Sequence, residues 1–207
     1  RTLRFLFDGS YEEFKHALFA LGETPLPKWV REKVEPEDSE RYQTIFAAKE
    51  GAVVAPTAGM HFSKHLMKRM EIKGIDKTFV TLHVGLGNFR TVDVEDLSKH
   101  KMDSEQFFVD EPTAETVNKT KREGHKIVSI GTTVMRTLET AVSTGGMIKP
   151  MEGWTNKFIF APYEFSVADA MVTNFQLPYS TQLMMVSAFG GYDLIMNAYK
   201  IAKEEGY

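Results

Sequence analysis

Two histidines and a glutamate of this sequence could move protons, and each lies next to a glycine-containing turn or another histidine. His61 follows the small-residue turn Thr57-Ala58-Gly59 and precedes a stretch with helical periodicity. A histidine side chain titrates near neutral pH and therefore suits general acid–base chemistry. Taken alone the ring would equally suit a core position. We interpret it as a pocket residue because of the segments that accompany it.

The second histidine, His83, lies in the segment LHVGLGNFR, which runs from Leu82 to Arg90. An alternating strand there ends in Gly85-Leu86-Gly87, which lacks the third glycine and the helix start of a dinucleotide-binding motif. By itself, His83 would be more typical of a hydrogen-bonded sheet histidine than of a base. Glu105 follows His100 in HKMDSE and could orient it or share its proton, although a solvated loop has the same pattern.

Two further segments have the composition of binding loops. In IGTTVMRTLET a strand meets the turn Gly131-Thr132-Thr133 and then a helix, whose N-terminus could hold a phosphate or carboxylate or could simply be capped. In VTNFQLPYST, hydrogen-bonding side chains directly precede a helix. Ligands in open α/β sheets bind beyond the carboxyl ends of strands, which is where all of these segments would lie.

The elements that must position these loops alternate between strands and helices. The predicted helices are 11–20, 64–74, 111–122, 134–143 and 181–189, and the predicted strands are 3–7, 79–84, 126–130, 156–161 and 170–175. Such alternation predicts an α/β fold, a three-layer αβα sandwich with a largely parallel sheet.

Composition excludes several classes of protein. The 207 residues contain no cysteine, which rules out disulfides, thiolate metal sites and a cysteine nucleophile. No apolar run approaches the ~20 residues of a membrane-spanning helix. The net charge of −3 means that a nucleic-acid partner would need a local basic patch. His61 and His65 have the spacing of a metal pair, but Phe62 stands where a zinc protease has glutamate, so we expect no metal site.

Six motifs occur in an order that resembles the S-adenosylmethionine:tRNA ribosyltransferase-isomerase family of queuosine biosynthesis. They are ERYQTIFA, GAVVAPTAGMHF, VTLHVGLGNFR, HKMDSE, IGTTVMRTLET and VTNFQLPYSTQLMMVSAFGG. The resemblance extends from about Leu21 to Tyr207. It implies transfer and isomerisation of the ribosyl moiety of S-adenosylmethionine onto 7-aminomethyl-7-deazaguanine at the tRNA wobble position. The product would be epoxyqueuosine, with release of adenine and methionine.

The resemblance also implies a set of site residues. His61 and His83 would be the acid–base residues, and Glu105 would position one of them or the substrate amine. Substrate would be bound by Thr57, Ala58, Gly59, Gly85, Gly87, Phe89, Arg90, His100, Gly131, Thr132, Thr133, Arg136, Thr173, Asn174 and Gln176. S-adenosylmethionine would be a co-substrate, with no metal and no tightly bound cofactor. We expect a cytoplasmic protein whose oligomeric state is open, a monomer included.

The sequence departs from the family pattern at several positions. The family commonly has MHSE, TNFHLPKST and GTFRPV where this chain has Asp103, Gln176 with Tyr179, and Asn88 with Thr91. A non-catalytic RNA- or nucleoside-binding relative is therefore the alternative. Family members also carry an inserted all-β barrel, so we expect residues 1–24 to be the tail of that barrel. Residues 25–207 would form the α/β catalytic domain, with its N- and C-terminal segments missing.

A basic cluster follows the His61 turn. Lys64, Lys68, Arg69 and Lys73 recur along one predicted helix and could contact tRNA phosphates or form an ordinary solvated face.

Overall fold

The structure is a computed structural model that describes residues 4–27 and 33–207. The chain divides into two compact units, Arg1–Tyr42 and Gln43–Tyr207. The predicted boundary at residue 24 stays a prediction. None of the helices in the described ranges is long and apolar enough to cross a membrane.

The described residues form a mixed α/β fold. The helices are α1 Tyr11–Leu21, α2 Asp38–Arg41, α3 Lys64–Ile72, α4 Glu111–Arg122, α5 Thr132–Ala141, α6 Thr181–Gly190 and α7 Tyr192–Glu204. The strands are β1 Thr81–Leu82, β2 Glu105–Val109, β3 Val128–Ile130, β4 Met151–Thr155 and β5 Ala170–Val172. Short 3₁₀ helices cover Thr57–His61, Leu86–Phe89 and Leu97–Lys99.

Helix α1 of the first unit begins where the sequence predicts it. Ser10 caps its N-terminus, since the Ser10 hydroxyl accepts from Glu13 N–H and the Glu13 carboxylate accepts from Ser10 N–H. Residues 4–7 form no strand, and the rings of Phe5 and Phe7 each lie 5.4 Å from the ring of Phe14 on α1. The alternation of apolar and polar residues in this stretch therefore reflects the packing of Phe5 and Phe7 against α1, not a strand. Residue 3, the first of the predicted strand, lies outside the described ranges.

The sheets of the second unit correct one prediction. Strands β1, β2 and β4 form an antiparallel sheet in the order β1-β2-β4, and β3 and β5 form a separate parallel pair. A largely parallel sheet is thus wrong for the described residues. Parallel pairing of β1 with β2 would need a helical crossover between them, whereas only the short 3₁₀ turns Leu86–Phe89 and Leu97–Lys99 intervene, so the chain returns antiparallel.

Helix α5 lies at the centre of the core. Its residues 135–139 are all buried, and it packs on β2 and β3. The largest fully buried apolar side chains are Met135 of α5 itself and Phe107 and Ile159 elsewhere in the core. The predicted helices are confirmed with shifts of one or two residues at their ends. The strand predicted at 156–161 is wrong, because β4 ends at Thr155 and the following aromatic run is irregular.

Candidate active site

The parallel pair β3–β5 places two of the predicted binding loops side by side. Its strands end at Ile130 and Val172, and Gly131 N–H continues the ladder by donating to Val172 O at 2.8 Å. Gly131 has φ +100°, a conformation that L side chains rarely adopt. A Cβ on Gly131 would also lie 3.6 Å from Ala58 Cβ. The Ala58, Gly131 and Val172 segments therefore meet at one edge.

A direct hydrogen bond joins the His61 turn to the segment VTNFQLPYST. His61 Nε2 lies 2.5 Å from Asn174 Oδ1, with His61 exposed and Asn174 partly buried. Because the amide oxygen can only accept, His61 Nε2 donates, and the Nδ1 atom of the neutral ring is then left as an acceptor. An exposed imidazole in this state is suited to taking a proton from a bound substrate.

Gln176 braces the loop that carries Asn174. The Gln176 side-chain amide donates to Thr173 Oγ1 at 2.9 Å and to Asn174 O at 3.0 Å. Its backbone N–H donates to the Tyr199 hydroxyl at 2.6 Å. The structure thus assigns the Gln176 amide to the loop itself, and this fixes the position of Asn174 beside His61.

Glu105 and Arg136 form a buried ion pair between β2 and α5. Each side chain is only 5% exposed, and Arg136 Nη2 contacts Glu105 Oε2. The other carboxylate oxygen, Glu105 Oε1, accepts from Gly85 N–H at 2.7 Å. Burial lowers the pKa of Arg136 to about 10, which still leaves the guanidinium charged at neutral pH. Glu105 is therefore held by two partners, one of which begins the Gly-Leu-Gly turn.

That turn lies against the residues just before β2. A Cβ on Gly87 would lie 2.9 Å from Asp103 Cγ, so only glycine fits without moving the carboxylate. Arg90 Nη1 donates to Asp103 Oδ1 at 3.3 Å, and both of these side chains are exposed. A small cleft lies here, lined by Gly87, Asn88, Arg90, His100, Lys101, Met102, Asp103, Glu105 and Thr181.

Further contacts join this cleft to α6 and the loop before it. The Gln182 amide donates to Asn88 Oδ1, and Val92 N–H donates to Tyr179 O at 2.7 Å. Gln182 is buried directly after the start of α6. These bonds join the chain around the Gly-Leu-Gly turn to the start of α6 and the loop before it.

His83 lies on the other face of the antiparallel sheet. Its backbone N–H donates to Gln106 O at 2.9 Å, and its ring packs edge-on against Phe108 at 5.9 Å between centroids. Side chains alternate along β2, where Glu105 is buried and Phe108 is on the opposite face. Gly51 approaches the same ring closely, since a Cβ there would lie 2.8 Å from His83 Nδ1. The structure thus separates His83 from the Glu105–Arg136 pair.

The remaining predicted residues surround these contacts. Gly59 is buried, and a Cβ on it would lie 3.1 Å from Thr44 Cγ2. His100 lines the cleft, with its ring 4.9 Å from that of Phe158. Four others are partly buried, namely Thr57, Phe89, Thr132 and Thr133. Within residues 4–27 and 33–207, no three histidine, aspartate or glutamate side chains are grouped so as to hold a metal ion.

Several cleft residues were not among the predicted site residues. Asp103 was noted only as a departure from a pattern, while Asn88 and Thr181 were not predicted to bind. Thr181 and Gln182 could have been found from the sequence, because two polar residues open a helix whose next five residues contain four apolar ones. Neither the residues around Glu105 nor those around Arg136 contain a sequence pattern that predicts their pairing.

Comparisons with known proteins agree on one family. The model of a family described as queuosine biosynthesis protein matches residues 1–207. The S-adenosylmethionine:tRNA ribosyltransferase-isomerases of Phocaeicola vulgatus and Parabacteroides distasonis are 67% and 66% identical over 207 residues. The chain is covered completely in both alignments and spans 59% of the length of each relative.

A solved structure is also similar. The crystal structure of S-adenosylmethionine tRNA ribosyltransferase from Thermotoga maritima superposes with a TM-score of 0.57 at 37% sequence identity. The match covers 72% of this chain and 46% of the other. With a family model that spans every residue and relatives at two-thirds identity, the chain belongs to the queuosine biosynthesis protein family.

Proposed function

We propose that this chain carries active-site loops of an S-adenosylmethionine:tRNA ribosyltransferase-isomerase. The reaction transfers and isomerises the ribosyl moiety of S-adenosylmethionine onto 7-aminomethyl-7-deazaguanine at the tRNA wobble position. It gives epoxyqueuosine and releases adenine and methionine. The names of the relatives support this activity. The observation that carries it is the His61–Asn174 hydrogen bond, which brings a proton acceptor to the edge where the loops after β3 and β5 meet.

The chemistry requires a base near the donor sugar. The sulfonium charge of S-adenosylmethionine acidifies the ribose 5′ carbon, and the free Nδ1 of His61 is suited to removing that proton. Asn174 sets the tautomer of the ring, and Thr132 and Thr133 supply hydrogen bonds to the nucleoside from the adjacent turn. His83 is the second acid–base residue of the proposal, and its own alanine variant tests that role separately.

The charged residues have different tasks. Glu105 holds the Gly85 end of the Gly-Leu-Gly turn, so it shapes the cleft and positions the substrate amine. Exposed Arg90 contacts the methionine carboxylate or a tRNA phosphate. Arg136 is buried beside the same cleft, and its positive charge holds Glu105 in place through their ion pair.

The setting of the reaction belongs to the same proposal. S-adenosylmethionine and the modified tRNA are the substrates, no resident metal or cofactor takes part, and the protein acts in the cytoplasm. Residues 1–24 would be the tail of an all-β barrel domain, and residues 25–207 would belong to a three-layer αβα catalytic domain.

Product analysis tests the activity. The protein is incubated with S-adenosylmethionine and tRNA bearing the aminomethyl base, and nucleobases and amino acids are separated by liquid chromatography. We expect adenine and methionine in equal amounts, with none formed on tRNA that lacks the aminomethyl group. tRNA binding without adenine release would instead support a non-catalytic relative, and S-adenosylhomocysteine would indicate methyl transfer.

A further inference from the structure

Helix α3 has two faces of different composition. At 100° per residue, Leu66, Met67 and Met70 fall on one side, and all three are partly buried. The opposite side carries the exposed basic and titratable side chains of Lys64, His65, Lys68 and Arg69 together with Glu71 and Ile72, and exposed Lys73 is the C-cap residue. The helix thus presents a cationic face about 14 Å long, from Lys64 to Lys73.

The positive charge on this face is poorly compensated. Lys68 pairs with Glu71 at 3.0 Å. For Lys64, Arg69 and Lys73, the structure has no carboxylate within 4.0 Å in residues 4–27 and 33–207. Lys64 and His65 also occupy the first turn, which holds no acidic residue, although a helix dipole disfavours cations there. A local excess of this kind stands out in a chain of net charge −3.

The basic face of α3 begins close to the His61 turn. The 3₁₀ turn ends at His61, and Ser63 caps α3 by accepting from Leu66 N–H at 3.1 Å. The basic side chains therefore begin three residues after the histidine that contacts Asn174. A polyanion lying along α3 would reach the edge where the loops after β3 and β5 meet.

We propose that the exposed face of α3, defined by Lys64, Lys68, Arg69 and Lys73, binds the phosphate backbone of the RNA substrate. This inference rests on the proposed function, because it names the surface that holds the tRNA. Lysine and arginine side chains neutralise phosphates and release counterions, so they contribute affinity without base specificity. An anionic membrane is disfavoured, since a helix that lies on lipid buries an apolar face in the bilayer, whereas Leu66, Met67 and Met70 of α3 are partly buried in the protein and Ile72 alone is exposed.

Charge neutralisation tests the proposal. The triple variant Lys64→Gln/Arg69→Gln/Lys73→Gln removes three charges and keeps good helix formers. A fluorescently labelled, unmodified tRNA transcript is the probe, and the dissociation constant is measured from about 50 to 200 mM salt, the range over which phosphate contacts change affinity most visibly. We expect affinity to fall roughly tenfold or more at the lowest salt. The slope of log K against log salt should become shallower by about two to three.

A matched control separates this surface from net charge. The variant Arg122→Gln/Lys200→Gln/Lys203→Gln also removes one arginine and two lysines from exposed helical positions. It should bind tRNA with the wild-type constant and slope, and circular dichroism should show both variants folded. An equal loss in both variants, wild-type binding by the α3 variant, or no binding by the wild type would overturn the inference. Binding of the transcript by the wild type, together with no adenine release in the product assay on tRNA bearing the aminomethyl base, would overturn the proposed activity and leave this surface standing.

Discussion

His61 and Asn174 are separated by 113 positions in the sequence and share a 2.5 Å hydrogen bond. If this bond orients the catalytic ring, both His61→Ala and Asn174→Ala should lower turnover by well over tenfold, because an unaligned base loses most of its ~10²–10⁴-fold contribution. The measurement is kcat from adenine release, with the melting temperature as a control for folding.

A conservative variant distinguishes orientation from bulk. Asn174→Asp keeps an acceptor at the Oδ1 position and should retain more activity than Asn174→Ala. The double variant His61→Ala/Asn174→Ala should be no slower than His61→Ala alone, since both residues act through one ring. Independent, multiplicative losses would show that Asn174 acts apart from His61.

The Glu105–Arg136 pair predicts strongly coupled effects on stability. Glu105→Gln or Arg136→Met alone should lower the free energy of unfolding by about 3–5 kcal/mol, because each leaves a buried group without its partner. The double variant should lose clearly less than the sum. Urea unfolding of the four proteins gives the coupling, and additive losses would mean that the two charges do not stabilise each other.

The Gly-Leu-Gly turn predicts opposite outcomes for its two glycines. Gly87→Ala should push Asp103 away from Arg90 and lower activity, because its Cβ would lie 2.9 Å from Asp103 Cγ. Gly85→Ala should be tolerated, since the nearest atom to its Cβ is Glu105 Oε1 at 3.8 Å. Steady-state kinetics on both variants checks this. The clash should also lower the melting temperature of Gly87→Ala, and adding Asp103→Ala should relieve the clash and restore that temperature.

Asp169 predicts a pH-dependent contribution to stability. A hydrogen bond from Ile127 N–H, followed by one from Lys126, lowers the pKa of Asp169. The native state thus favours the ionised form, so the contribution is complete above the unfolded pKa of about 3.9 and is lost as pH falls through the lower native value. Asp169→Asn should be less stable than wild type at pH 7. Unfolding curves at falling pH should converge, and a constant difference would remove Asp169 as the cause.

Local features of the fold could be predicted from the sequence. Ser63 and Ser180 cap α3 and α6 directly before the predicted helix starts at residues 64 and 181, because an N-cap hydroxyl acts on a backbone N–H only three residues away. The segments of the candidate site were also found, since glycines and small polar residues mark the ends of strands. These are interactions within one turn of chain.

The rest depended on contacts distant in sequence. Strand β2 is absent from the predicted strands because its pairing partner, β4, lies over forty residues downstream. The run from Phe158 to Phe160 looked like a strand, yet its rings pack on each other and on His100. The hydrophobic residues of this run indicate that it is buried, but they do not show whether its backbone forms the hydrogen bonds of a strand. The ion pair of Glu105 with Arg136 has the same origin, since only the packed fold brings them together.

Helix α5 connects the loops beside His61 to the cleft beside Gly87. Its first turn follows Gly131, its middle carries Arg136, and one turn later Glu139 accepts from the backbone N–H groups of Ser166 and Val167. A shift of α5 along its axis would change the positions of both regions together. Substitutions around Val167, which belongs to neither region, should therefore alter the geometry of both regions as well as the stability of the fold.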